Sequence, residues 1–361
     1  MIEVHSLNVI YKEKKVGTLA LTPERQCAFQ YDPEWTEQGF SVSPFDLPLT
    51  SDLYIAKPGL FDGGFGVFND SLPDGWGRFI LDRYLKEKGE DPEQLSALQL
   101  LSLVGKSGRG ALEYYPSIDL EEKKPEIISF LNFEKTARDL IDSKNTTELS
   151  IDTVFKYSGS SGGARPKIFI GLDGEEWLIK FSNSADSKNI GQTEYEYSLL
   201  AKSCGISMTE TRLFEDKYFG TKRFDRTPNG KIHVISAAAL LNADYRIPSL
   251  DYNSLLKGCQ ILTGDMKEVE ALFRLMVFNV IIKNRDDHAK NFAFLFDGTR
   301  WRLAPAYDIL PSGGYNGYHT TLINGSGKPS AEDILSTAKK IGIAEKRAKE
   351  ILEEVRETCI K

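Results

Sequence analysis

Hydrophobic and polar positions change their spacing along the chain, and the change separates a β-rich first part from a mostly helical last part. Residues 6 to 20 hold two β-prone runs around the charged turn K-E-K-K, which predicts a hairpin, and residues 27 to 32 indicate a further strand. From Leu250 onward apolar residues recur at helical spacing, most clearly over residues 266 to 283. The pattern predicts an α+β fold.

Two helices are predicted between these parts. The segment S-L-P-D-G-W-G-R-F-I-L-D-R-Y-L predicts a helix that begins at Ser71, and residues 94 to 104 predict a second, apolar helix before a glycine-rich turn. We interpret both as scaffold, because their polar residues form no cluster of catalytic type. The charged stretch from Ile118 to Asp152 contains one helical pattern and is typical of a surface connection.

Composition and charge exclude several classes of protein. A chain of 361 residues can form two or three lobes, and its 41% hydrophobic and 27% charged residues are typical of an ordinary globular protein. The net charge of −7 and the pI near 5.4 give no overall basic character, so direct DNA binding is not the first function that we expect.

The cysteines and the apolar segments indicate a cytoplasmic protein. The four cysteines are widely scattered and form no C-x-x-C pair, which argues against a zinc site or a disulfide framework. The first residues lack the pattern of a signal peptide. The most apolar long window is interrupted by Arg274 and Asn279 and is too short to span a bilayer.

A Gly/Ser-rich loop is the first candidate for ligand binding. Small residues from Ser158 to Ala164 precede a β-prone run at 167 to 171, a turn at Asp173-Gly174 and a second run that ends at Lys180. In such a loop backbone N–H groups can approach phosphate oxygens, because no side chain blocks them, and Lys180 would add a positive charge. The loop fits neither the G-x-G-x-x-G nor the Walker pattern, so a flexible turn is an equally good interpretation of it. A lysine at the position of Lys180, taken alone, is more often an exposed strand residue.

The next two segments could complete a nucleotide site. Residues 191 to 203 predict a helix with Glu194 and Glu196 in its first turn. In a kinase a helix glutamate pairs with the ATP lysine, and Glu194 is the candidate, although both glutamates would also favour the helix dipole. Residues 217 to 226, K-Y-F-G-T-K-R-F-D-R, predict a short strand that would form a hinge between lobes.

The stretch N-R-D-D-H-A-K-N, at residues 284 to 291, carries the most concrete chemistry. Asp286 and Asn291 have the spacing of a protein-kinase catalytic loop, and Asp308 follows in Y-D-I-L. Asp286 can orient a hydroxyl and accept its proton, while Asn291 and Asp308 supply the oxygen ligands that Mg²⁺ prefers. Taken singly, these residues also have structural interpretations: Asp286 and Asp287 as a solvated loop, His288 as a packed polar residue, Asn291 as a turn former and Asp308 as a cap.

The sequence resembles the HipA family of bacterial serine/threonine kinase toxins over nearly its whole length. The motifs that carry the resemblance are S-L-P-D-G-W-G-R, S-G-S-S-G-G-A-R-P-K, K-R-F-D-R, D-D-H-A-K-N-F and A-P-A-Y-D-I-L, in that order. The resemblance implies a two-lobed protein-kinase-like fold with ATP and Mg²⁺ as cofactors. The implied parts are an N-terminal subdomain at 1–117, a connection at 118–150, an ATP-binding part at 151–224 and a helical lobe at 225–361.

Site residues follow from the resemblance position by position. It implies Asp286 as the catalytic base, Asn291 and Asp308 as magnesium ligands, and Lys180 as the ATP anchor. It implies further nucleotide contacts from Gly162, Gly163, Ala164, Arg165, Pro166 and Lys167 in the loop, from Lys222, Arg223 and Phe224 in the hinge, and from His288, Ala289, Lys290, Asn291, Tyr307 and Asp308. Ser160 falls where family members phosphorylate themselves, which expels the loop and silences the kinase, with Ser158 and Ser161 as alternative acceptors.

The resemblance also implies partners. The best-studied family members phosphorylate glutamyl-tRNA synthetase and are neutralised by a helix-turn-helix antitoxin. The resemblance therefore implies DNA contact only indirectly, through the antitoxin. Only 53 residues follow Asp308, fewer than in longer members, so substrate choice and antitoxin contact could differ.

Two other functions stay open. A small-molecule kinase of aminoglycoside-phosphotransferase type shares a His-x-Asp-x-x-x-x-Asn loop, but here Asn284 occupies the histidine position. A nucleotide-binding corepressor partner with little turnover is the other alternative, and the intact set of Asp286, Asn291 and Asp308 argues against it.

Overall fold

The structure is a computed structural model that describes residues 4–118, 128–144 and 148–360. The chain forms two compact units. Unit 1 comprises residues 1–42, 46–192 and 212–231, and unit 2 comprises 43–45, 193–211 and 232–361. The predicted boundaries at residues 117, 150 and 224 stay predictions.

The first sheet of unit 1 contains the predicted hairpin and the strand after it. Its strands are β1 (Ser6–Tyr11), β2 (Lys14–Leu21), β3 (Cys27–Tyr31), β4 (Leu53–Ile55) and β5 (Leu112–Tyr115). They pair antiparallel in the order β4-β3-β2-β1-β5. Lys12 and Glu13 join β1 to β2 with φ values of 47° and 66°, as the tightest hairpin turns require.

The second sheet of unit 1 carries the candidate nucleotide-binding strands. It consists of β6 (Lys167–Leu172), β7 (Glu175–Lys180), β8 (Thr211–Phe214) and β9 (Tyr218–Lys222), in the order β6-β7-β9-β8. The turn at Asp173-Gly174 has positive φ at both residues, which confirms the predicted hairpin. A small pair of strands, β10 (Arg226–Thr227) and β11 (Gly230–Lys231), follows.

Helices cover the core of unit 1. They are α1 (Pro33–Gln38), α2 (Gly66–Asn69), α3 (Gly75–Glu87), α4 (Ala97–Val104), α5 (Phe130–Ile141) and α6 (Ile151–Ser158). Buried residues of α3, α5 and α6, among them Trp76, Phe133 and Val154, pack with Trp177 and Ile179 of β7. Burial of such large apolar side chains is the main stabilising contribution to a core of this kind.

Two expectations for unit 1 need correction. Helix α3 begins at Gly75 and not at Ser71, because Pro73 disfavours the helical conformation at Leu72 before it, and Asp74 is the extended N-cap residue. The stretch predicted as a surface connection contains α5, which buries one face in the core. Residues 119–127 and 145–147 of this charged stretch lie outside the described residues.

Helices dominate unit 2, as the spacing of apolar residues predicts. The chain enters it within α7 (Ile190–Ser203) and continues through β12 (His233–Ser236), α8 (Ala237–Leu240), β13 (Leu250–Asp251), α9 (Tyr252–Thr263), α10 (Met266–Ile282), β14 (Ala293–Phe296), β15 (Trp301–Leu303), β16 (Thr321–Leu322), α11 (Ala331–Ile341) and α12 (Glu345–Ile360). Helix α10 packs against α9 and α12. The capping box of Ser330 and Asp333 is present at the start of α11.

The helix bounds change the interpretation of one glutamate. Because α7 begins at Ile190, Glu194 lies in the second turn and not in the first. Its side chain is buried, which is unusual for a carboxylate whose only role is to favour the helix dipole. None of the helices in the described ranges is long and apolar enough to cross a membrane.

Candidate active site

Helix α10 delivers the chain to the predicted catalytic loop. The helix ends at Ile282, and Lys283 turns the backbone with a φ of 59°. The side-chain amide of Asn291 then donates a hydrogen bond to the backbone carbonyl of Asp286 at 2.8 Å, which closes the loop on itself. The Asp286 side chain is exposed, and it can therefore meet a substrate hydroxyl.

Asp287 stabilises this loop from the protein interior. This position contradicts the interpretation of Asp287 as part of a solvated loop. Its side chain is fully buried. One carboxylate oxygen contacts Tyr252 Oη at 3.1 Å and His319 Nδ1 at 3.0 Å, and the other accepts the backbone N–H of Thr320 at 3.0 Å. Burial raises the pKa of Tyr252 well above its ordinary value, and the charge of Asp287 adds to the effect, so the phenol stays a donor.

Asn284 links the loop to the backbone of Asp308, the predicted carboxylate ligand of magnesium. Its side-chain amide donates to the backbone carbonyl of Asp308 at 3.3 Å and to Oδ1 of Asn279 at 3.1 Å. The aminoglycoside-phosphotransferase pattern has histidine at this position. In this chain Asn284 occupies it and forms the hydrogen bond to the Asp308 backbone. Asp308 itself has a φ of 55°, a conformation that non-glycine residues rarely adopt and that is often found at functional sites.

The donor set fits a magnesium ion held beside phosphates. The Nδ2 of Asn291 is used as a donor, which leaves its Oδ1 as the acceptor for a cation. No group of three or more His, Cys, Asp or Glu side chains in the described ranges is arranged to hold a metal alone. A magnesium ion beside phosphates is usually held by one or two protein oxygens and completed by phosphate and water, and the magnesium roles of Asn291 and Asp308 stay predictions.

The remaining predicted residues of unit 2 lie in this loop or form a hydrogen bond with it. His288 accepts the backbone N–H of Lys290 through Nδ1 at 3.3 Å and precedes the short 3₁₀ turn Ala289–Asn291. Tyr307 Oη donates to the Lys290 carbonyl at 2.6 Å. The Lys290 ammonium lies 4.3 Å from the ring centre of Tyr245. The structure therefore brings Tyr307 and residues 288–291 together.

In unit 1 the Gly/Ser loop has a defined conformation. The backbone N–H of Gly163 donates to Oδ1 of Asp74 at 2.6 Å, and the Gly163 carbonyl accepts the backbone N–H of Trp76 at 2.8 Å. Lys167, the first residue of β6, donates to the Gly162 carbonyl. The backbone N–H groups of Gly162 and Ala164 donate no hydrogen bond within the described residues, so they are the amides that suit phosphate oxygens.

Two lysines face the same side of the second sheet. Lys167 and Lys180 are directly opposite each other on β6 and β7, and both side chains are buried. Directly opposed residues of an antiparallel pair share a face, so both lysine side chains lie on one side of this sheet. Arg165 of the loop forms a bidentate ion pair with Asp186 at 3.0 to 3.2 Å.

The predicted hinge ends a strand and is held by a buried ion cluster. The backbone N–H of Arg223 donates to the Glu176 carbonyl at 2.8 Å, and Lys222 pairs with Glu175. The Arg223 guanidinium donates to Asp225, which is itself buried. Phe224 lies between Arg223 and Asp225 in the sequence. The predicted nucleotide contacts of residues 222–224 stay predictions, as does the ion pair of Lys180 with Glu194.

Comparison with known proteins shows the family. Residues 7–115 match the model of the HipA N-terminal domain, and residues 159–361 match that of the HipA-like C-terminal domain. The chain belongs to the HipA family. Two relatives from Sinorhizobium fredii, Y4dM and Y4mE, have names that describe a kinase activity not yet demonstrated. Y4dM is 25% identical, and the match covers 81% of this chain and 73% of Y4dM. Y4mE is 24% identical, and the match covers 86% of this chain and 78% of Y4mE.

A solved structure confirms the predicted fold class. The Shewanella oneidensis MR-1 HipA, solved with HipB and its operator DNA, aligns with a TM-score of 0.71 over 98% of this chain and 91% of that chain, at 17% identity. This likeness shows the fold alone. The α+β, protein-kinase-like HipA fold, with its β-rich N-terminal part and mostly helical C-terminal part, is therefore confirmed.

Sequence reasoning missed three features of this HipA chain. The sequence pattern assigns Asp287 only to a loop, gives no role to Asp225 within K-R-F-D-R, and predicts Asp74 inside a scaffold helix. A signal for Asp74 was present in the sequence. Gly75 and Gly77 stand at the start of a helix, where glycine is unfavourable, and such glycines indicate that another backbone approaches closely.

Proposed function

We propose that this HipA-family chain is an ATP- and Mg²⁺-dependent serine/threonine protein kinase and the toxin component of a toxin–antitoxin module. The observation that carries the proposal is the closed loop in which Asn291 is bonded to the Asp286 backbone, with Asp308 linked through Asn284. Within unit 2 this arrangement would supply an exposed base, Asp286, and two oxygen ligands, Asn291 and Asp308, whose backbones are held by these hydrogen bonds.

Each residue has a separate role in the proposed reaction. Asp286 orients the substrate hydroxyl and accepts its proton as the hydroxyl oxygen bonds to the γ-phosphorus and ADP leaves. Asn291 and Asp308 would hold Mg²⁺, which supplies neutralisation of the phosphate charge. In unit 1 Lys167, Lys180 and the amides of the Gly/Ser loop would bind the phosphates, and residues 222–224 the adenine.

The proposed protein partner is a helix-turn-helix antitoxin. The Shewanella oneidensis HipA was solved with HipB and operator DNA, which supports such a partner for this chain. A net charge of −7 favours DNA contact through the antitoxin and not by this chain itself. The substrate that we propose is a translation factor such as an aminoacyl-tRNA synthetase, with glutamyl-tRNA synthetase as the first to test.

Transfer of labelled phosphate tests the proposed function directly. The chain is incubated with labelled ATP and Mg²⁺, with and without a panel of aminoacyl-tRNA synthetases. We expect self-labelling, and labelling of one synthetase on serine or threonine. Label transfer to an aminoglycoside and to no protein would favour the small-molecule kinase, and ATP binding without any transfer would favour the corepressor.

Loss of Asp308, the proposed carboxylate ligand of magnesium, should weaken binding of Mg-ATP selectively. Asp308→Asn is the preferred variant, because asparagine tolerates the positive φ of this position better than alanine. We expect the Kd for ATP with Mg²⁺ to rise on the order of ten-fold, while the Kd for ATP with a chelator changes little. Calorimetric titration measures both, and equal losses in the two titrations would contradict a metal role.

Self-labelling should depend on Ser160 more than on its neighbours. Ser158 Oγ accepts the indole N–H of Trp76 at 2.9 Å, and Ser161 is buried, whereas Ser160 is only half-buried and donates to the Ser107 carbonyl at 3.0 Å. Ser160→Ala should therefore remove most of the label, located by mass spectrometry of the loop peptide. Ser161→Ala is the matched control, since its Oγ makes no hydrogen bond in the described residues.

A further inference from the structure

The N-terminal end of α3 holds the Gly/Ser loop through several contacts. The Asp74 carboxylate accepts the Gly163 N–H, the Trp76 backbone N–H donates to the Gly163 carbonyl, and the Trp76 indole donates to Ser158 Oγ. Asp74 occupies the N-cap position but makes no side-chain hydrogen bond to its own helix. The usual role of an N-cap aspartate is thus replaced by a bond to the loop.

The two backbones approach so closely that side chains would not fit between them. A Cβ atom on Gly75 would lie 2.4 Å from the Gly163 carbonyl oxygen, and one on Gly77 would lie 2.2 Å from the Ser161 carbonyl oxygen. A Cβ on Gly162 would lie 2.6 Å from Oδ1 of Asp74. Glycine at all three positions therefore permits this contact, although glycine weakens the first turn of a helix.

These contacts divide the loop amides into two groups. The Gly163 N–H is used by Asp74, while those of Gly162 and Ala164 on either side stay available to a ligand. Fixing Gly163 at both its N–H and its carbonyl sets the directions of the neighbouring peptide groups. A loop that is already ordered loses less conformational entropy when it binds phosphate, and its affinity is correspondingly higher.

We propose that Asp74, together with the G-W-G sequence after it, positions the Gly/Ser loop for the phosphates of ATP. The N-terminal subdomain is then part of the nucleotide-binding apparatus and not only scaffold. Asp74 is a positioning residue in this proposal, because it acts through Gly163 and not on the nucleotide. The inference rests on the proposed function, since it requires that ATP be the ligand of the loop.

Separate titrations of ATP and adenosine with the full-length protein test the inference. Asp74→Ala should raise the Kd for ATP about ten-fold, the scale of one hydrogen bond to a charged group, and leave the Kd for adenosine unchanged. Adenosine has no phosphates, so a loss of loop order affects it little, whereas a general loss of folding would weaken both ligands. Asp74→Asn keeps an acceptor oxygen and should restore part of the ATP affinity.

Further variants separate the loop contact from the loss of charge. Gly77→Ala, which forces Ser161 away from α3, should weaken ATP binding in the same selective way. Asp82→Ala is the matched control, because Asp82 lies on the same helix and, among the described residues, forms an ion pair only with Arg78, near the surface. It should bind both ligands like the wild type.

The possible failures can be told apart. Wild-type protein that binds no ATP would overturn the proposed function and, with it, this inference. Wild-type protein that binds ATP, with unchanged or tighter ATP binding in Asp74→Ala, would overturn the inference alone. Tighter binding would mean that the Asp74 carboxylate competes with phosphate for the loop.

Discussion

Replacing Asp286 by alanine is expected to lower phosphoryl transfer about 10³-fold, the usual range for loss of a general base, while ATP binding is retained. The variant should keep its fold, because Asn291 is bonded to the backbone carbonyl of Asp286 and not to its side chain. Label incorporation from ATP measures transfer, and calorimetry measures binding in the same preparations.

Two controls make this result specific. Asp286→Asn preserves the shape of the side chain but cannot accept the proton, so it should lose transfer to a similar degree. Asp82→Ala, a surface variant far along the chain, should label like the wild type. Undiminished labelling of Asp286→Ala would refute the assignment of the base, whatever the outcome for Asp308.

Replacing Asp225 by alanine is expected to lower the free energy of unfolding by about 3 kcal/mol, the lower end of the range for a broken buried ion pair. Asp225 accepts bonds from Arg223 at 2.7 Å, from Arg226 at 2.9 Å and from the Gly110 N–H at 2.8 Å. Both arginines would keep Glu176 within 4 Å, but that carboxylate is about half exposed and replaces only part of the lost interaction.

Urea denaturation measures this loss against a surface ion pair. Asp82→Ala removes the exposed pair with Arg78, for which we expect a change below about 0.5 kcal/mol. Equal changes in the two variants would contradict the structural role of the buried cluster.

Acid stability provides a second measurement on Asp225. Burial by itself raises the pKa of Asp225, but the charges of Arg223 and Arg226 outweigh it and hold the pKa below the ordinary 3.8. Because the folded-state pKa is the lower one, this contribution is fully present above pH 3.8 and is lost as the pH falls below that value. The stability of the wild type should therefore fall more steeply in this range than that of Asp225→Asn.

Local patterns in the sequence predict much of this fold correctly. The hairpin of β1 and β2, the hairpin of β6 and β7 and the helices α9 to α12 follow from the period of apolar residues and from turn-forming residues. The order of the motifs identifies the family, and the residue types around Asp286 indicate the chemistry. These features are short-range, so the sequence contains the information directly.

Long-range contacts explain what sequence reasoning did not find. Asp74 and Gly163 are 89 positions apart, and Gly110 and Asp225 are 115 positions apart. No local period connects such residues. For the same reason the charge pattern predicts a surface connection around this helix, although α5 buries Phe133 and Leu140 in the core.

The sequence by itself determined the elements, the motif order and the set of chemical groups, because these depend on neighbouring residues. Only the tertiary structure decided which of two adjacent aspartates, Asp286 and Asp287, is exposed and which is buried. Asp286 is exposed and suits a base, whereas Asp287 is buried and bonded to Tyr252 and His319. The physical reason is that burial and hydrogen bonding, which depend on distant segments, assign the role of a carboxylate, and residue type alone does not.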